Sequence, residues 1–149
     1  FAHMEEIDLC WRIHQSGSKI MVCPQSEIYH YGGGTLPSTS AFKLFLNYRN
    51  SLFMLFKNLK PFQLFSRLIP RMMLDGLSAF AYLFQGKFAF FVTVFKAHIA
   101  FYKHIPILIK KRKRLNQSNQ PEHLVFKGSI VWRYIVRKQR HFKQLGFTF

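Results

Sequence analysis

Acidic residues stop almost as soon as the chain begins. Glu5, Glu6, Asp8 and Glu27 fall before residue 31, and from Tyr31 onward only Asp75 and Glu122 remain against 20 of the 22 lysines and arginines. The basic part also carries nearly all of the 18 phenylalanines, and the whole chain is 49% hydrophobic with a net charge of +16. That much apolar surface excludes a disordered basic tail, which lacks the means to offset its own ordering entropy. Grease combined with positive charge points to a polyanionic partner, either nucleic acid or anionic lipid. Two different jobs share the chain, and its two cysteines, Cys10 and Cys23, make no disulfide framework.

Three regions follow from the punctuation. In residues 1–37 a short helix is expected over 5–16, where Ile7, Cys10, Trp11 and His14 share helical spacing and Gly17 suits the left-handed position past its end. Residues 19–23 (KIMVC) and 28–31 read as two short strands, the second ended by Gly32-Gly33-Gly34. A helix and two strands cannot bury a core alone, so they are expected to complete a sheet supplied by other segments. Residue 1 is Phe, and the chain is expected to begin inside a longer reading frame.

Residues 38–115 read as a mostly helical region, punctuated at Pro61. The first helix is expected over 38–59 with Ser38 as cap, and Phe42, Phe45, Leu46, Leu52, Phe53, Phe56 and Leu59 near one face. Two more helical stretches, 62–84 and 87–113, are divided at Gln85-Gly86, with Pro70 and Pro106 as kinks or breaks. Residues 116–149 read as a polar linker and a basic amphipathic helix over 124–145. A membrane span needs about 20 apolar residues. Residues 76–95 come nearest, but Gln85, Gly86 and Lys87 interrupt them. Aromatic faces bordered by Lys and Arg suit helices lying in the membrane interface. The run Lys110-Lys111-Arg112-Lys113-Arg114 suits an anionic leaflet, although a solvated charge run would look the same.

Chemistry concentrates at the start, where Glu5, Glu6 and Asp8 put three carboxylates into four positions. Like charges this close repel, although the positive end of a helix dipole helps to hold them. Asp8 and Arg12 are i, i+4 neighbours and are expected to pair, while Glu6 lies well round the helix from Asp8. An ionised carboxylate at a cleft edge can act as a general base or bind a cation. An acid-rich first turn of purely structural origin is the competing reading. A Cys2His2 zinc set of Cys10, His14, Cys23 and His30 can also be written, but its second pair is widely spaced for a compact knuckle.

The run Glu5-Glu6-Ile7-Asp8-Leu9-Cys10-Trp11-Arg12 resembles the acidic motif, followed by x-D-L-x-x-R, of inverting glycosyltransferase family 2 enzymes. The likeness continues through Gly17-Ser18-Lys19-Ile20, Ile28-Tyr29-His30 with its glycine loop, and Asn47-Tyr48-Arg49-Asn50. It implies an α/β remnant of a GT-A (Rossmann-like) catalytic domain, followed by a mostly helical membrane-associated tail, so that this stretch is mainly α. By position Glu6 is the base that deprotonates the acceptor hydroxyl. The family more often has Asp there, and Glu5 stands beside it as the alternative. His30 is expected to complete a site for Mg²⁺ or Mn²⁺, with Asp8, Arg12 and Arg49 as structural or acceptor-side residues.

The donor would be a nucleotide-sugar and the acceptor a lipid-linked molecule or a glycan, with no nucleic acid bound. The tail resembles those of Bacteroidetes-type members, which implies the cytoplasmic face of a bacterial inner membrane. No D-x-D pair and no Q-x-x-R-W motif occurs in the chain, so a nonprocessive transferase is implied, inactive without its donor-binding half. The alternative is a noncatalytic basic module for membrane or nucleic acid, with bases stacked on its aromatics.

These helices carry a prediction for fractionation. The protein should sediment with membranes, residues 62–114 should suffice for this, and detergent should be needed for release. Full recovery in a high-salt wash would show that electrostatic attraction alone holds it.

Overall fold

The structure, a computed structural model, describes residues 3–29, 37, 40–115, 126 and 128–146. Those residues are mostly helical: α1 (Glu5–Gln15), α2 (Ala41–Asn58), a single turn α3 (Pro61–Gln63), α4 (Ile69–Phe84), α5 (Phe88–Lys113) and α6 (Ile130–Ile135). A π-helical stretch, Leu64–Leu68, joins α3 to α4, and a 3₁₀ turn, Phe142–Leu145, follows α6. The helices α2, α4 and α5 pack together, and α1 lies against α2.

Two glycines end helices in the same way. Gly17 has φ 81°, its N–H reaches the His14 carbonyl at 3.0 Å, and the Ser18 N–H reaches Ile13 at 3.1 Å. Gly86 has φ 73°, donates to Leu83 at 2.9 Å, and is followed by a Lys87 N–H bond to Tyr82 at 2.9 Å. Both are Schellman caps, and only a residue without a Cβ takes the left-handed turn cheaply. The second cap splits the apolar run at 76–95, as expected. The helix long and apolar enough to cross a membrane is instead α5, by length and composition, among the described residues.

Several expectations change. Ser38 lies outside the described residues, and α2 is capped by Ser40, whose Oγ accepts from the Lys43 N–H at 3.4 Å. Pro106 sits inside α5 without ending it. Pro70 follows the π-helical stretch, which relieves the crowding a proline ring imposes on the preceding turn. The long helix expected over 124–145 reduces to α6 and the 3₁₀ turn, with Lys138 at φ 52° between them. A six-residue helix has few hydrogen bonds to offset its nucleation.

The two expected strands are absent from the described residues, so the chain is mainly α and its α/β part is unsupported. Residues 19–23 and 28–29 are irregular, with Met21 88% and Tyr29 99% exposed. A strand exists through the hydrogen bonds of a neighbour, and no described segment provides one. His30, Tyr31 and the glycine loop lie outside the described residues.

The core is small and apolar where α2 meets α5. Leu52, Phe101 and Leu108 are buried there, and Phe53, Phe56, Leu68, Met72 and Ile105 pack round them. Phe56 meets the Phe101 ring edge-on at 5.7 Å between centroids. Arg112 of α5 donates to the Phe56 carbonyl near the end of α2.

The polarity of α4 is inverted. Ile69, Met73, Leu77, Phe80 and Phe84 are exposed, and at 3.6 residues per turn they fall within an arc of about 80°. On the opposite side Asp75 is only 3% exposed. Arg71 Nε lies 2.8 Å from its Oδ1, an ion pair whose N–H does not aim at the oxygen. His98 Nε2 of α5 lies 3.2 Å from its Oδ2. Ser78 Oγ donates to the Asp75 carbonyl at 2.7 Å and sits 2.6 Å from the Tyr48 hydroxyl of α2. A polar cluster therefore joins three helices on the inside, while apolar side chains face outward.

Removing one member of a buried ion pair leaves its partners desolvated and unmatched. Asp75→Ala should cost about 3 kcal/mol of unfolding free energy, the low end of the range because Arg71 is 38% exposed. Denaturant unfolding would measure it. A loss no larger than that of an ordinary surface substitution would mean the cluster contributes nothing to holding α4 on α5.

Candidate functional site at the α1–α2 junction

The chain enters α1 through His3 and Met4, both left-handed, with φ 71° and 70°. This tight approach puts the His3 carbonyl 3.1 Å from the Asn50 Nδ2 that donates to it. Further along, Asp8 collects three donors. Arg12 Nε lies 3.1 Å from Oδ2, Lys57 Nζ 2.6 Å from the same oxygen, and Asn58 Nδ2 2.7 Å from Oδ1. Asn58 is fully buried, and its Nδ2 also reaches the Met54 carbonyl at 3.0 Å. Gln15, at the far end of α1, donates to the Asn58 carbonyl at 3.3 Å. A ladder of polar contacts thus fastens α1 to α2.

These contacts set the charge of Asp8. Burial pushes its carboxyl up, but hydrogen bonds from Lys57 and Asn58, with the charges of Lys57 and Arg12, outweigh that and hold it below 3.8. Asp8 is therefore a committed anion that fixes helices rather than a proton acceptor.

Beside this clamp lies a cleft of about 630 Å³ between α1, α2 and the end of α5. From α1 it takes Glu5, Asp8 and Arg12, spaced i, i+3 and i+7 on one face. From α2 it takes Arg49, Asn50 and Lys57 with apolar neighbours, and from α5 Leu108 and Lys111. Arg49 stacks between two rings, its guanidinium 5.1 Å from the Phe45 centroid and 5.5 Å from that of Phe53. Its Nε donates to Asn50 Oδ1 at 3.0 Å.

Among the residues expected to matter, Glu5, Asp8, Arg12 and Arg49 meet in this cleft. Glu6 is exposed but does not line it, because successive helical residues diverge by about 100°. The Asp8–Arg12 pair forms as its spacing implied. His30 lies outside the described residues. Among the described residues no three His, Cys, Asp or Glu side chains group to hold a metal ion. Asp8 is taken up by cations, and Glu5 and Glu6 point apart, so these acids do not fit a divalent ion by themselves. Cys10 and Cys23 are exposed thiols.

Sequence reasoning missed Lys57, Asn58 and Lys111. The one available signal was Asn58, an uncharged polar residue one turn from Leu55 and beside Leu59 at the end of an apolar-faced helix. A buried amide in such a place needs hydrogen-bond partners, and Asp8 is one of them.

The clamp has a pH signature. Because the folded carboxyl of Asp8 is depressed, its stabilisation is fully present above the unfolded value near 3.8 and is lost as pH falls through the lower folded one. Asp8→Asn should cost about 2 kcal/mol at neutral pH. The gap from the unaltered protein should close in strong acid, as followed by unfolding at several pH values. A gap that persists unchanged below the unfolded value would show that charge is not what Asp8 contributes.

The chain matches no family model, no curated protein and no solved structure, so no relative supplies a role for any of these residues.

Proposed function

We propose that this chain is the acceptor-side, membrane-facing part of an inverting glycosyltransferase, the α/β remnant of a GT-A domain joined to a helical tail. The observation that carries the reading is the convergence of two motif segments far apart in sequence. The acidic start of α1, with Glu5, Asp8 and Arg12, meets Arg49 and Asn50 of α2 in one cleft. Chance likeness of two short motifs gives no reason for them to line one cleft.

The reaction needs a base for the acceptor hydroxyl. The carboxylate takes its proton as the oxygen bonds to the anomeric carbon, and the nucleoside diphosphate departs with the bonding pair. Glu6, by its place in the motif, is that base. It projects from the part of α1 outside the cleft, where a donor-bearing domain can reach it, whereas Glu5 faces the cationic cleft and offsets part of its charge. The Mg²⁺ or Mn²⁺ implied by the resemblance would involve His30 and acids beyond the described residues. Placement at the cytoplasmic face of a bacterial inner membrane is supported by the inverted polarity of α4, the length of α5 and the basic run at its end.

Glu6→Gln keeps size and most hydrogen bonding while removing the base. In the complete enzyme it should lower turnover about 10²–10⁴-fold and spare donor binding. Glu5→Gln should be far milder, and His30→Ala should raise the metal concentration needed for activity. Loss of turnover in Glu5→Gln with activity kept in Glu6→Gln would move the base one residue back. Full activity in both would remove catalysis from this part of the molecule.

A further inference from the structure

The cleft has a composition that proton transfer does not explain. Four cations, Arg12, Arg49, Lys57 and Lys111, face two carboxylates, Glu5 and Asp8, which leaves an excess of two positive charges. Arg12 and Lys57 are both engaged with Asp8, and the other two cations of the lining are Arg49 and Lys111. They come from different helices and border one apolar wall of Phe42, Leu46, Phe53 and Leu108. The guanidinium of Arg49 sits over the Phe45 and Phe53 rings and its Nε is held by Asn50, which restricts the side chain and leaves less freedom to lose on meeting a phosphate. Lys111 belongs to the basic run that ends α5, so that run contributes to the cleft lining.

We propose that this cleft binds one anionic phospholipid, its phosphate between Arg49 and Lys111 and an acyl chain along the apolar wall. A free phosphate would use the cations but not the wall, and an apolar ligand would use the wall but leave the charge excess unmatched. An amphiphile with a phosphate at one end satisfies both. The inference rests on the membrane placement proposed above, and it gives the cleft a role beside the base chemistry assigned to Glu6, which does not line it. Its consequence is a fixed height and tilt of α1 at the leaflet surface, since α1, α2 and α5 all contribute to the same cleft.

The test uses the full chain and dihexanoyl-phosphatidylglycerol as a monomer, so that no membrane field contributes. The lipid should bind, and Arg49→Gln with Lys111→Gln should weaken it about 10-fold or more. The charge-matched pair Lys110→Gln with Lys113→Gln, from the same basic run but outside the cleft, should leave it nearly unchanged. Equal weakening by both pairs would overturn the site in favour of diffuse attraction. Inorganic phosphate binding as tightly as the lipid would overturn it in favour of a plain anion site, and dihexanoyl-phosphatidylcholine binding as tightly would remove the role of charge.

Arg49 also packs in the protein, so Lys111→Gln alone is read as well, and the surface position of that residue spares the fold. It should weaken the lipid severalfold, and no effect would overturn the proposal. Flotation with phosphatidylcholine vesicles reads membrane placement separately. Flotation without cleft binding sinks only the cleft, and failure of both sinks the placement as well.

Discussion

Leu52 is fully buried between α2 and α5, clustered with Phe101 and Leu108. Burying a large aliphatic side chain contributes about 1.5–3 kcal/mol, and these few residues form the main apolar seam among the described helices. Everything at the site depends on it. Arg49 and Lys57 stand on α2 and Lys111 on α5, so only the closure of this seam brings their charges to one cleft. The α1 helix in turn has little apolar burial of its own and is positioned by Asp8, Asn58 and the His3 carbonyl.

The second constraint is where α4 puts its polarity. In water an amphipathic helix turns its charged face outward, because burying a charge is expensive unless it is matched. Here Arg71, Asp75 and Ser78 turn inward to Tyr48 and His98, and the outward stripe is apolar. Ala79 on α4 and Ala97 on α5 are fully buried, and such small side chains let helices approach closely. The alkyl and aromatic groups of α5 continue the outward apolar stripe, with Phe88, Phe95 and Ile99 exposed along one side.

Within the site, similar residues do different work because of their neighbours. Asp8 receives three donors and becomes an anchor, while Glu5 and Glu6, on the same turn, remain exposed. Division of labour among the three acids therefore follows from which face of α1 meets α2. The irregular residues 19–29, with apolar side chains in solvent, show the opposite case of a segment with no packing against the described helices to order it.

What the sequence by itself determined was local. Gly17 and Gly86 end their helices because a left-handed residue is needed within a few positions of each end, and Asp8 pairs with Arg12 because one helical turn brings them together. The break that divides α4 from α5 is of this kind too. Caps and ends shifted where several residues compete, as Ser40 replaced Ser38, and the last helix shrank to six residues because propensity without packing sustains little. The tertiary structure alone decided that Lys57 and Asn58 would clamp Asp8 across some 50 positions, that Asp75 would face inward, and that Lys111 would reach the cleft. A charge pattern along a chain does not say which side of a helix will be covered. That is set by which neighbouring helix can bury apolar area against it, and the polar partners are then whatever that closure brings within hydrogen-bonding reach.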